Sequence, residues 1–153
     1  LSTLHTNSAP STITRMVNMG IPAYLINSAL SLVIAQRLAR VICKECKKED
    51  TSVTKETFLS LGFEEKDVKG LKAYKGEGCD KCYGTGIKGR RGIYEVLPVS
   101  DNLKQAILEG KSDIDIKKMA QKEGFITMQK VGQDLIREGI ISVTEYQRIL
   151  VLE

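Results

Sequence analysis

No stretch of this 153-residue sequence is apolar enough to cross a membrane as a helix. The longest hydrophobic run, Ala29 to Ala35, is broken by Ser31 and falls far short of the roughly 18–20 residues required. Tryptophan is absent and aromatic residues make up only 5% of the chain. That scarcity argues against a groove for single-stranded nucleic acid, which interleaves basic residues with stacking rings. Charge of neither sign dominates: 23 Lys and Arg stand against 19 Asp and Glu, net +4. The clusters Lys44, Lys47, Lys48 and Lys88, Arg90, Arg91 have acids interspersed, so a solvated surface is the simpler reading and no nucleic-acid partner is expected. An initiator Met and a signal peptide are also missing. The opening Leu1-Ser2-Thr3-Leu4 reads as the tail of a buried strand, as in a piece of a longer protein, and Leu152-Glu153 is compatible with a vector scar. What remains is ordinary: 42% hydrophobic and 27% charged residues suit one globular domain or two small ones.

Only four cysteines occur, and they form two Cys-x-x-Cys pairs, Cys43/Cys46 and Cys79/Cys82. A two-residue gap lets both thiolates of a pair reach one ion, and two such pairs build the closed tetrahedral site that Zn²⁺ prefers. Residues 47–78 separate the pairs, 32 positions, longer than the roughly 15–20 of a minimal zinc ribbon, so an inserted element is expected. Gly76, Gly78, Gly84, Gly86 and Gly89 supply the flexible backbone that tight ligand turns need. Two disulfides or a redox pair are the competing readings. Nothing suggests secretion, and intracellular thiols are normally reduced, which favours zinc. Four protein ligands leave the metal no open position, so its role is structural. Its removal is expected to loosen residues 43–87 and spare the helical tail.

Periodicity organises the rest. Pro10 heads a helix carrying Ile13, Met16 and Val17 that Gly20 stops, and Pro22 starts a second. From Leu32 the pattern fits either a strand or a continued helix. A strand is favoured, because a metal module that leaves and rejoins the fold at neighbouring points needs two adjacent strands as its stem. Residues 33–41 are therefore expected to pair antiparallel with residues 91–97, where Gly92-Ile93-Tyr94-Glu95-Val96-Leu97 is rich in β-formers. Thr54 with Phe58 and Leu59, closed by Gly62, suggests a short helix inside the module. Beyond Ser100 four capped helices follow: Ser100 to Gly110, Ser112 to Gly124, Thr127 to Gly139, and one starting at Ser142 with Glu145.

Three stretches together resemble one family. Leu1-Ser2-Thr3-Leu4-His5-Thr6-Asn7, followed by Ala9-Pro10-Ser11-Thr12 and Arg15, is similar to the histidine box of the ATPases that drive type IV pilus assembly (PilB-like) and type II secretion (GspE-like). Ala35-Gln36-Arg37-Leu38-Ala39-Arg40 with Cys43-x-x-Cys46 resembles the run entering that family's metal-binding subdomain. Gly78-Cys79-x-x-Cys82-x-Gly84-x-Gly86, then Gly89-Arg90-x-Gly92-Ile93-Tyr94-Glu95, resembles the run leaving it.

The resemblance implies an α/β fragment: the end of a RecA-like ATPase domain with an inserted tetracysteine zinc subdomain and a C-terminal helical subdomain. On that reading residues 1–42 belong to the ATPase core, 43–87 form the tetracysteine insertion, 88–99 return to the core, and 100–153 form the helical part. The whole enzyme would be a cytoplasmic homohexamer, peripheral to the inner membrane, using ATP and Mg²⁺ to move an inner-membrane platform protein. The departure is the glycine-rich P-loop, Gly-x-x-x-x-Gly-Lys-Ser/Thr, which is absent along with the acidic Mg²⁺ boxes. Without those groups nothing cradles the β- and γ-phosphates, so the fragment alone is expected to be inactive. His5 is the one catalytic-type residue the family carries over, placed to contact a γ-phosphate or its attacking water; capping the next helix is the plainer alternative. Arg37 and Arg40 face either a nucleotide or subunit interface or a surface ion pair, and the role of Arg15 stays open. A different class also fits part of the chain: Cys79 to Gly86 resembles one unit of the DnaJ-type chaperone zinc domain, although Cys43-Lys44-Glu45-Cys46 lacks the glycines.

Overall fold

Ser8 begins the first helix, because its side chain accepts the Ser11 N–H while the Ser11 side chain accepts from the Ser8 backbone. This helix, α1 (Ala9–Asn18), runs to a left-handed Gly20, and Pro22 heads α2 (Ala23–Ala29). From Leu32 the period becomes two. The strand β1 (Leu32–Ile42) buries Val33, Ala35, Ala39 and Ile42, which resolves the ambiguity of this segment in favour of strand. Next come β2 (Lys47–Glu49), α3 (Lys55–Ser60), α4 (Glu65–Val68) and β3 (Tyr74–Gly76), and then the long β4 (Ile87–Pro98). β1 pairs with β4. The Val99 N–H donates to Ser31 O at 3.0 Å, and the Cys43 N–H donates to Gly86 O at 2.9 Å. These bonds fix an antiparallel ribbon, the stem expected for the module. α5 (Asp101–Leu108), α6 (Asp113–Lys122), α7 (Met128–Arg137) and α8 (Val143–Leu150) follow at the expected starts.

This computed structural model describes residues 1–150, so Leu152-Glu153 lie outside the described residues. Two packing units divide the chain. The first comprises Leu1–Gln36 and Tyr94–Thr127, the second Arg37–Ile93 and the chain from Met128 onward. In the first, α1 packs on α6 and α2 on α5 around Ile13, Ile26, Leu103 and Ile116. In the second, α7 packs on α8, and Tyr146, 1% exposed, sends its hydroxyl to Leu61 O at 3.4 Å. Gln133 donates to the same carbonyl at 3.3 Å, and the Ile42 N–H bonds to Ile140 O at 2.9 Å. The four C-terminal helices therefore have different partners: α5 and α6 join α1 and α2, whereas α7 and α8 join the cysteine module. An apolar stripe states that a helix is buried, not against what.

The strand expected at Leu1–Leu4 is not formed. Residues 1–6 carry no helix or strand, and Leu1 and Leu4 are exposed. A strand needs a ladder partner for its backbone groups, and no described strand runs beside this segment.

Candidate metal centre

Each cysteine pair is built on one short turn. Cys43 follows β1 directly and a 3₁₀ turn at Lys44–Cys46 presents Cys46; a second 3₁₀ turn at Asp80–Cys82 brings Cys82 beside Cys79. Tyr83 then takes the left-handed conformation, φ 52°, to turn the chain back. The four sulfurs lie within 4.8 Å of one another. Cys43 and Cys79 Sγ are 3.9 Å apart, Cys46 and Cys82 3.8 Å, and Cys79 and Cys82 3.7 Å. A disulfide would need about 2.05 Å. Four sulfurs at about 2.3 Å from a central Zn²⁺ would stand about 3.8 Å from each other, so the donor set fits that ion. Backbone N–H groups point at the sulfurs: Gly78 at Cys46 (3.3 Å), and Cys79 and Gly86 at Cys82 (both 3.2 Å). Such donors fix ligand orientation and offset thiolate charge.

Titration behaviour follows from these contacts. Burial, with help from neighbouring thiols, pushes Cys46 up to about 11. Burial also raises Cys82, but the Cys79 and Gly86 N–H groups outweigh it and pull the thiol down to about 6. Burial raises Cys79 as well. A cation entering this cluster displaces protons from the reluctant thiols. The small antiparallel β2–β3 pair, with Lys47 opposite Gly76 and Glu49 opposite Tyr74, closes the module. Gly76 and Gly86 bring their backbones together so closely that a Cβ on either would overlap the other's carbonyl.

Residues 1–148 match the family described as "Type II/IV secretion system protein". The chain belongs to that family. It is 45% identical over 149 residues to the type IV pilus assembly ATPase PilB of Pseudomonas aeruginosa, covering 97% of this chain and 26% of that protein. The PilB of Thermus thermophilus is 41% identical over 145 residues, 95% of this chain and 16% of its own length. The type II secretion system ATPase E of Vibrio cholerae is 36% identical over 149 residues, 97% of this chain and 29% of its own. The chain thus spans less than a third of each of these relatives.

The other candidate residues are not members of the four-sulfur cluster. His5 is exposed, in the irregular segment before Ser8, and belongs to the first packing unit. Arg40 is an ion-pair residue: its guanidinium lies 2.8 Å from Glu145, which is 3% exposed. Arg15 lines a shallow groove with Ser11, Thr14 and Asp113. No described helix is long and apolar enough to cross a membrane. Glu95 and Glu145, expected only as part of a strand and of a helix cap, are both buried carboxylates. Their signal was present: each occupies a position where the strand or helix period calls for an apolar residue.

Proposed function

We propose that this chain is the part of a secretion ATPase that carries its histidine box and a structural Zn²⁺. The family match over residues 1–148 carries the reading. The relatives named as ATPases of pilus assembly and of type II secretion support a full-length enzyme that hydrolyses ATP with Mg²⁺ to drive one of those two processes. In that enzyme residues 1–42 and 88–99 belong to a RecA-like core, 43–87 to the zinc insertion and 100–153 to a helical region. The enzyme works as a cytoplasmic homohexamer at the inner membrane, acting on a platform protein there. Cys43, Cys46, Cys79 and Cys82 hold the zinc; with four thiolates bound it supplies a fold constraint and no open position for chemistry. His5 contacts the terminal phosphate or the water that attacks it. Lacking a P-loop, residues 1–153 alone neither bind nor hydrolyse ATP usefully.

His5→Ala in the full-length protein tests the central assignment. We expect kcat to fall about 10²–10⁴-fold, the range for positioned catalytic groups, with ATP affinity nearly unchanged. Ser8 already caps α1, so a mutant that loses melting temperature but keeps turnover per folded molecule makes His5 a structural residue of the segment before that helix instead.

A further inference from the structure

We infer that Glu95 is a positioning residue for the His5 segment, an inference that rests on the phosphate role proposed for His5. On β4 the side chains alternate, with Ile93 buried, Tyr94 exposed, Glu95 buried, Val96 exposed and Leu97 buried. Glu95 therefore occupies a core position at 3% exposure. A carboxylate there is costly unless it is hydrogen-bonded, and packing alone would be served better by an aliphatic side chain. Its Oε1 accepts the backbone N–H of Ala9, 86 residues away in sequence. Ala9 is the first residue of α1, where N–H groups lack intrahelical partners and form the positive end of the helix dipole.

The reciprocal cap of Ser8 and Ser11 serves the N–H groups of those two residues and leaves that of the buried Ala9, which Glu95 caps from another element. What Glu95 adds is a tether between the start of α1 and β4. Three residues separate His5 from the tethered Ala9, and within them Thr6 Oγ1 lies 2.6 Å from Thr12 Oγ1 of α1. His5 itself is exposed and in no helix or strand. The imidazole takes its place from the bend at residues 7–8 that joins it to α1, and Glu95 holds the helix end to which that bend leads.

The test uses the full-length ATPase with His5→Ala, Glu95→Leu, Glu95→Gln and the His5→Ala/Glu95→Leu double variant; Glu95→Met replaces Leu if Leu does not pack. Losing the tether misplaces the segment, so Glu95→Leu should lower kcat about 10–100-fold while the KM for ATP stays within about threefold. Glu95→Gln keeps an acceptor oxygen and should restore most of the turnover. The double variant should turn over no more slowly than His5→Ala, because both changes remove one contribution. Hydrogen exchange in peptides covering Ala9 should accelerate in Glu95→Leu. If His5→Ala is impaired while folded Glu95→Leu or Glu95→Met is not, the tether is wrong and the His5 role survives. Multiplied losses in the double variant would likewise overturn it. A fully active His5→Ala removes the His5 role itself, and the tether's purpose with it.

Discussion

At Glu145 a single buried carboxylate answers two arginines. Its Oε1 accepts the Arg40 backbone N–H at 2.8 Å and Arg148 Nη2 at 2.6 Å, and its Oε2 accepts Arg40 Nε at 2.8 Å and Arg148 Nε at 2.9 Å. Burial alone would raise its pKa, but the bonds from Arg148 and Arg40 prevail and hold it at about 2. A carboxyl held below its unfolded value stabilises the fold fully above about pH 4.5 and loses that contribution as pH falls toward 2. Glu145→Ala should therefore cost about 2–3 kcal/mol near neutrality, the range for hydrogen bonds to charged groups together with the unpaired donors left behind. In urea titrations the gap between wild type and variant should close between pH 4.5 and 2; a gap constant across that window would contradict this account. Gly86 raises a different matter, one of space. Gly86→Ala meets both a left-handed backbone, φ +71°, and the Gly76 carbonyl, whereas Gly89→Ala, φ +87°, meets open space. Strain alone costs about 1–2 kcal/mol. We expect Gly86→Ala to exceed Gly89→Ala in lost melting temperature, and to lose zinc to a competing chelator sooner.

Among the elements, caps were legible and partners were not. Ser100, Ser112 and Ser142 each accept the N–H three residues on, as the spacing of Ser, Asp and Glu predicts. The switch to period two at Leu32 and the stem with β4 could also be read, because a module closed by four cysteines demands adjacent exits. The β2–β3 pair was missed, being only three residues a side and too short to show a period. The Leu1–Leu4 strand failed for the opposite reason: a pattern was present without a neighbour to pair with. Packing also revises what chelation should do. α7 and α8 share a unit with the cysteine module, and Gln133 and Tyr146 both bond to Leu61 O. Stripping the metal should then raise hydrogen exchange in residues 43–87 and next in α7 and α8, while α1, α2, α5 and α6 stay protected. Uniform protection of all four C-terminal helices would contradict that grouping.

For the whole molecule, the family was legible because its signals lie in order along the chain, from His5 through the two cysteine pairs to the capped helices. The division into two units was not, since the boundary falls inside β1 and β4, where the alternation continues unbroken. That long ribbon has a kinetic consequence. Its strands are separated by a loop of about 44 residues, and its outermost bond joins Ser31 to Val99. Distant partners must find each other before any contact rewards the search, which makes such pairing slow. A metal ion gathered by the four cysteines clips most of that loop out of the search. Shortening the effective loop to roughly eight residues removes about 1.5 kcal/mol of closure entropy, since each halving is worth about 0.6. Refolding with Zn²⁺ present should then run roughly tenfold faster than without it, measured by stopped-flow tyrosine fluorescence at matched denaturant. Equal folding rates with unequal unfolding rates would mean that the ion arrives only after the ribbon has closed. Should the ion speed refolding, the tetracysteine cluster sets the order in which the chain finds itself.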